Sequence, residues 1–388
     1  MMKEKNDVTA MKKSFFGHLK PKRVIVKIGS ALLADENSDL RKNFLRKIAR
    51  EVVSLESSDV KCVIVSSGAL AAGKEKIGLT ERPRKLVLKQ AAAAVGQPLL
   101  MYYYSREFGK FGKNVAQILL THDDFEKRER FLNARNTIES LLENGIIPVI
   151  NENDTVATEE IKVGDNDTLA ARVTDLVGAD LLIMLSESEG LHDRDPTRHK
   201  NAKRISFVER VDETIWKLAE TEKKNPLGIG GIRSKLKAAQ MASYYGIPVI
   251  ISGHGGKNFL KRILDGEDLG TLFFPSKKKV KSKRYWLAYA LKPRGTVTVD
   301  AGAKDALVEK HKSLLPSGII EVVGKFKKGD PIAISDPGGK IFAKGIAAID
   351  SETIKKIKRK KSYEIKGMFQ KKIPEEVVHA DNLTILPL

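Results

Sequence analysis

Six short apolar runs, several rich in β-branched residues, constrain this chain most: RVIVKI from Arg23, KCVIVS from Lys61, NVAQILL from Asn114, IIPVI from Ile146, LLIML from Leu181 and IPVIIS from Ile247. Each is nearly continuous in apolar residues rather than alternating, the pattern of strands covered on both faces. Helical spacing fills the intervals. Ala134, Ile138, Leu141 and Leu142 recur before Gly145, and Leu169, Val173, Leu176 and Val177 recur before Gly178. A further helix over about Arg233 to Tyr245 ends at Gly246. Glycine suits the left-handed residue that closes a helix. Strands alternating with helices predict a mainly parallel sheet, in a unit that runs to about Phe274 and closes at Pro275.

At 388 residues the chain is long for one core and predicts two or three domains. Past Pro275 the texture changes. The basic run KKKVKSKR from Lys277 leads into TVTVD, IIEVV, PIAIS and IFAKGIAAI, separated by glycine and proline, as in a small β-rich domain. The expected organisation is a flexible tail over 1–20, an α/β domain over 21–275, a basic linker over 276–294 and a β-rich domain over 295–388. Of the net charge of +20, residues 276–388 carry 25 Lys and Arg against 12 Asp and Glu, or +13.

Several classes fall away. A 41% hydrophobic content excludes wholesale disorder. No run approaches the roughly 18 apolar residues of a membrane span, and MMKEKNDVTAMKKSFFGHLK lacks an apolar signal core, so the expected location is cytoplasmic with no membrane partner. Cys62 is the sole cysteine, which leaves no intrachain disulfide, and the seven histidines are scattered. A metal, if used, must sit on oxygen ligands.

In doubly wound α/β proteins ligands bind at the carboxyl ends of the strands, so the residues leaving each strand are the ones to read. Four exits are unusual. VKIGSAL ends a buried strand on Lys27 and follows it with Gly29, where backbone can approach a ligand; a lysine snorkelling from the strand end is the bland alternative. SSGALAAG opens a helix with small residues, from packing or for an anion. INENDTVATEEIKVGDNDTLAAR places Asn151, Asn153, Asp154, Asp165, Asn166 and Asp167 between one strand and one helix, too many acids and amides for a helix cap alone. PLGIGGIRSK supplies glycines and Lys235 near a helix start, but leucine follows Lys235 where a Walker A motif needs Ser or Thr. Two lysines, glycine turns and a carboxylate cluster compose a phosphoryl-transfer site, where positioning and charge neutralisation do most of the catalysis.

These exits, in this order, resemble the amino acid kinase family. The likeness rests on VKIGSALL, SSGALAAG, ERFLNARNTI through VINENDTVATEEIKVGDND, GIGGIRSK and VDAGAKDALVEKHKSLLPSGI. The last resembles the start of a PUA domain, an appendage that ordinarily marks the branch acting on glutamate rather than the acetylglutamate, uridylate or carbamate branches. The resemblance implies a three-layer α/β sandwich followed by a small PUA-like β-barrel. It implies ATP-dependent phosphorylation of the side-chain carboxylate of L-glutamate, the first step of proline biosynthesis, with proline as feedback inhibitor. On it, Lys27 and Lys235 stabilise the transferring phosphoryl group and Asp167 orients them. Ser67, Asp154 and Asn166 hold glutamate. Ser186, Glu187, Ile229, Gly230, Gly231, Ile232, Arg233, Ser234 and Lys235 lie along ATP with Lys27, and Asp165 contributes to the Mg²⁺ environment. The pair Ser186–Glu187 departs from the family's usual Thr-Asp. A homo-oligomer and a downstream glutamyl phosphate reductase are further implied partners.

A glutamate side chain in water titrates at about 4.3 and is already ionised at neutral pH, so such an acceptor needs no catalytic base. RNA binding is the rival reading, since PUA barrels occur in RNA-modifying enzymes and the C-terminal charge favours phosphate contact. It leaves Lys27, the GDND cluster and Lys235 without a role, so phosphoryl transfer ranks first.

Overall fold

The structure, a computed structural model, describes residues 2–33, 40–79, 81, 83, 85–156, 166–221, 231–276, 293–360, 362–365, 368 and 374–386. The chain divides into two compact units, residues 1–279 and 280–388. The expected linker falls largely on residues 277–292, outside the described residues.

Eight described strands form the sheet of the first unit: β1 Arg23–Ile28, β2 Lys61–Ser66, β3 Val115–Leu120, β4 Ile147–Glu152, β5 Leu181–Leu185, β6 Phe207–Val208, β7 Val249–Ser252 and β8 Thr271–Phe273. Their order is β3-β4-β2-β1-β5-β7-β8-β6, parallel throughout except where β8 runs antiparallel to β7. The apolar runs become the buried strands: every residue of β4 and β5 is buried, and all of β1 and β2 but the first. β3, on the edge, is largely half-buried. The short β6 and β8 carry too few residues to register as separate runs in the sequence.

The helices of this unit are α1 Met2–Leu19, α2 Ser30–Leu33, α3 Lys42–Glu56, α4 Ala69–Lys74, α5 Leu86–Gly109, α6 His122–Glu126, α7 Arg128–Glu143, α8 Asn166–Leu176, α9 Glu213–Thr221, α10 Ile232–Tyr244 and α11 Phe259–Leu264. Gly145, Gly178 and Gly246 all take positive φ where α7, α8 and α10 end, as the sequence predicts. α4 and α5 cross at van der Waals distance because Gly73 and Gly96 face one another. A Cβ on Gly73 would lie 1.9 Å from the Ala92 carbonyl oxygen, and one on Gly96 equally close to that of Ala69. The last glycine of SSGALAAG is therefore required by packing.

The tail expected over residues 1–20 is instead helical: α1 buries Lys12 and Phe16, and Phe16 joins the main apolar core. Its apolar positions are sparse and its buried Lys12 reads as a surface residue, which hid the helix in the sequence.

The second unit is a small β-rich domain with its own core around Val297, Ile319, Ile334 and Phe342. Strands β9 Gly295–Val299, β10 Ile319–Gly324, β11 Pro331–Ser335, β12 Ile341–Ile346 and β13 Leu383–Ile385 pair in the order β10-β9-β11-β12-β13. Helices α12 Ala301–Val308, α13 Ser351–Ile357 and α14 Ser362–Ile365 accompany them. Asp300 and Asp350 cap the first two, accepting hydrogen bonds from the Ala303 and Thr353 backbone amides.

Candidate active site

β1 sits mid-sheet with β2 on one side and β5 on the other, so the chain reverses its winding about β1 and opens a crevice at the strand ends there. Lys27 lies next to last on β1, paired with Val65 of β2 and Met184 of β5. Its side chain is 4% exposed, and its ammonium reaches Asp167 Oδ1 at 2.5 Å. A Cβ on Gly29 would lie 3.7 Å from that ammonium, an ordinary van der Waals contact, so Gly29 sits beside the Lys27 head group.

Asp167 stands in the first turn of α8, where the positive end of the helix favours a carboxylate. It does not serve as a cap, because the helix already starts at Asn166. Burial alone would raise its pKa, but the nearby charges of Lys27 and Lys235, with hydrogen bonds from Lys27 and Ser234, hold it down at about 2. Ser234 Oγ donates to Asp167 Oδ2. Lys235, on the first turn of α10, is itself buried. Thus Lys27, Lys235 and Asp167 come together from three elements, and Ser234 has a contact with Asp167 that its place in the nucleotide stretch did not suggest.

A different arrangement lies on the other side of β1. Asn166 Nδ2 lies 2.8 Å from Asn151 Oδ1 and 2.9 Å from both Ser67 Oγ and the Ser66 carbonyl oxygen. Asn151 in turn donates to Gln97 Oε1, and Gln97 to Gln117 Oε1, each at 2.9 Å. These amides run in one direction, so each fixes the rotamer and flip state of the one before it. The consequence is that Asn166 Oδ1 is turned away from its protein partners, buried and without a hydrogen bond among the described residues. Asp154 Oδ1 is in the same condition. Burial pushes the Asp154 carboxyl up to about 6, with no cation among the described residues to offset it. Asp154 and Ala69 line one cavity of about 200 Å³ with Gln97, Gln117 and Glu152, so the ends of β2 and β4 meet there.

Ser67, Asn166 and the Asn151 amide are thereby joined directly, and Asp154 borders the adjoining cavity. Gln97 and Gln117 were missed by sequence reasoning. Gln97 carried a signal, as a buried polar residue within the apolar stretch AAAAVGQPLL, but nothing local connects it to Asn151. At the remaining exits, the Ser186 amide donates to the Ser252 carbonyl oxygen at 2.8 Å, which ties the end of β5 to β7. Glu187 follows it. On α10, Ile232 is buried, whereas Gly231 and Arg233 are exposed. Ile229, Gly230 and Asp165 lie outside the described residues.

For Mg²⁺ the chemistry of the donor set decides. Asp167 is committed to Lys27 and Ser234, and no group of three or more His, Cys, Asp or Glu side chains among the described residues could hold a metal ion. At nucleotide sites Mg²⁺ is usually carried mostly by phosphate oxygens and water, with one or two protein carboxylates.

Comparison with known proteins identifies two matched regions. The family model described as "Amino acid kinase family" matches residues 22–253, and that of the PUA domain matches residues 295–369. A glutamate 5-kinase of Caldanaerobacter subterraneus subsp. tengcongensis is 43% identical over 364 residues, 94% of this chain and 98% of the relative. One of Citrifermentans bemidjiense is 45% identical over 367 residues, 95% of this chain and 98% of the relative. A third, of Syntrophus aciditrophicus, is 44% identical across 94% of each chain.

Proposed function

The chain belongs to the glutamate 5-kinases of the amino acid kinase family, and on that premise we propose that it transfers the γ-phosphoryl group of ATP to the side-chain carboxylate of free L-glutamate. The observation that carries the substrate assignment is the pair of buried acceptors, Asp154 Oδ1 and Asn166 Oδ1, each without a partner among the described residues. An α-ammonium group supplies three donors and a positive charge, which satisfies both oxygens and neutralises Asp154. An N-acetylated amine brings one donor and no charge, and leaves Asp154 unpaired.

The acceptor carboxylate attacks without giving up a proton, so the site's task is to offset repulsion between two anions. Lys27 and Lys235 do this; Asp167 pairs with the Lys27 ammonium and lies within the electrostatic reach of Lys235. Ser234 fixes Asp167 through its second oxygen. The end of β5 at Ser186 and Glu187, with the stretch Ile229–Lys235, borders the nucleotide. Asp165 is the proposed protein contact of Mg²⁺, which would supply neutralisation of phosphate charge when bound with ATP. The product, L-glutamyl 5-phosphate, is an acyl phosphate suited to hand-over to a reductase.

Proline keeps a carboxylate and an ammonium in the same relation as glutamate, which supports competition for Asp154 and Asn166 and hence feedback inhibition. Val87, Leu88, Val95 and Tyr102 of α5 are exposed apolar side chains, which supports a homo-oligomer. Contact of the C-terminal domain with RNA is supported by its charge and its match to the PUA model. No helix among the described residues is long and apolar enough to cross a membrane.

Trapping the product with hydroxylamine as γ-glutamyl hydroxamate tests the assignment. Hydroxamate should form with L-glutamate and MgATP; phosphorylation of N-acetylglutamate or UMP with glutamate ignored would overturn it.

A further inference from the structure

Helix α1 lies outside the matched family region, which begins at residue 22, yet it carries a fully buried lysine. Lys12 Nζ donates to Asp268 Oδ1 at 2.7 Å and to the Gly270 carbonyl oxygen at 2.8 Å. Arg204 holds the same carboxylate from the other side at 2.7 Å and also donates to Gly270. A buried charge is retained only where pairing and hydrogen bonds offset its desolvation, and Lys12 has both. The helix backbone is seated as closely as its side chain. Gly266 takes φ +79°, and a Cβ there would lie 2.5 Å from Lys13 Cα. Phe15 completes the contact, edge to face with Phe274 at 5.2 Å between ring centres.

The segment that α1 grips leads directly to the end of β5. Asp268 and Gly270 immediately precede β8, whose first residue, Thr271, is fully buried. Thr271 Oγ1 accepts from the Leu191 amide at 2.9 Å and donates to the Ile205 carbonyl oxygen at 2.5 Å. Gly190 presses so near that a Cβ there would lie 2.6 Å from Thr271 Oγ1. The loop 186–191 is therefore anchored at its far end to Thr271 and at its near end, through the Ser186 amide, to β7.

We propose that α1 is a latch on the nucleotide half of the enzyme, with Lys12 a positioning residue that sets Thr271 and, through it, the 186–191 loop. The assignment rests on the reading that Ser186 and Glu187 border ATP. Lys12 touches neither substrate; it acts by holding Asp268 and Gly270 where Thr271 meets Leu191.

Lys12→Met tests this in the full chain, because Arg204 still pairs Asp268 and the fold keeps its main partner there. Gly266→Ala displaces α1 by an independent route. In both variants the KM for MgATP should rise about tenfold while that for L-glutamate stays within about twofold, in the range of coupling between linked sites. Exchange of the Leu191 amide hydrogen should quicken in parallel. Ser186→Ala/Glu187→Ala separates the two assumptions. If that variant weakens MgATP and Lys12→Met does not, the latch is wrong. If it leaves MgATP untouched, the nucleotide reading fails, and the latch is decided by Leu191 exchange alone: faster exchange supports it, unchanged exchange removes it. Equal changes in both KM values would also overturn it, since they signify general loosening.

Discussion

Two buried aspartates thirteen residues apart face opposite electrostatic fates. Asp167 is met by Lys27, Lys235 and Ser234, which hold its pKa at about 2. Asp154 is buried nearly as deeply but has no cation beside it among the described residues, and its pKa rises to about 6. Burial opposes ionisation at both, so the difference lies wholly in the partners. A carboxylate whose partners belong to the protein is part of preorganised machinery. One whose partners are missing is poised for a ligand that brings them.

Removing the machinery should have the largest effect. Lys27→Ala or Lys235→Ala should lower kcat by about 10²-fold or more, the scale of losing one preorganised charge stabiliser. Initial-rate hydroxamate formation at saturating substrates reads this. A loss confined to KM would place the lysines in ground-state binding only.

Stability should separate the aspartates by sign. Asp167→Asn leaves two buried ammonium groups short of their counter-charge and should cost about 3–5 kcal/mol, seen as a lower Tm or denaturation midpoint. Asp154→Asn should do the reverse. Because its pKa is higher in the folded chain than in the unfolded one, the native state binds the extra proton, and stability falls as pH rises from about 4 to about 6. The neutral amide avoids that penalty, so at pH 7 the free protein should gain up to about 3 kcal/mol. For Asp167 the window runs the other way, with stability gained as pH rises from about 2 toward 4. Thermal melts at pH 3, 5 and 7 decide both; destabilisation by each substitution at pH 7 would erase the distinction.

That distinction was not legible in the sequence, although the cluster holding both residues was. INENDTVATEEIKVGDND shows acids and amides in excess of any capping need, but whether a given acid is paired depends on Lys27, more than a hundred residues earlier, and on Lys235, well after. Strand limits fared better, because β1, β2 and β5 each bury consecutive apolar residues and stop at a small polar residue or a turn. Helix ends were legible at Gly145, Gly178 and Gly246, where glycine adopts positive φ. Short strands such as β8 and β13 were not, since three residues carry no period. α1 escaped for a related reason: its anchor is a charged residue made buriable by Asp268, far along the chain. The Asn166–Asn151–Gln97–Gln117 relay joins four segments and has no local signature beyond an isolated glutamine.

The C-terminal domain extends the comparison to the whole chain. Every residue assigned to the site precedes Pro275, and the first unit has its own apolar core. A chain ending at Pro275 should keep hydroxamate formation within about threefold of the intact enzyme at matched folding, as for a domain with an independent core. A folded but inactive truncation would make the second domain part of the catalytic assembly.

The most direct test of the division between the two aspartates is the affinity of the free enzyme for L-glutamate as a function of pH, measured calorimetrically beside Asp154→Asn. If Asp154 receives the substrate ammonium as a carboxylate, the association constant should fall about tenfold for each pH step of one below 6, with a proton released on binding, and the variant should show weak, nearly pH-independent binding. Binding by the wild-type protein that stays constant between pH 7 and 5, or a variant that binds glutamate as tightly, would contradict the account.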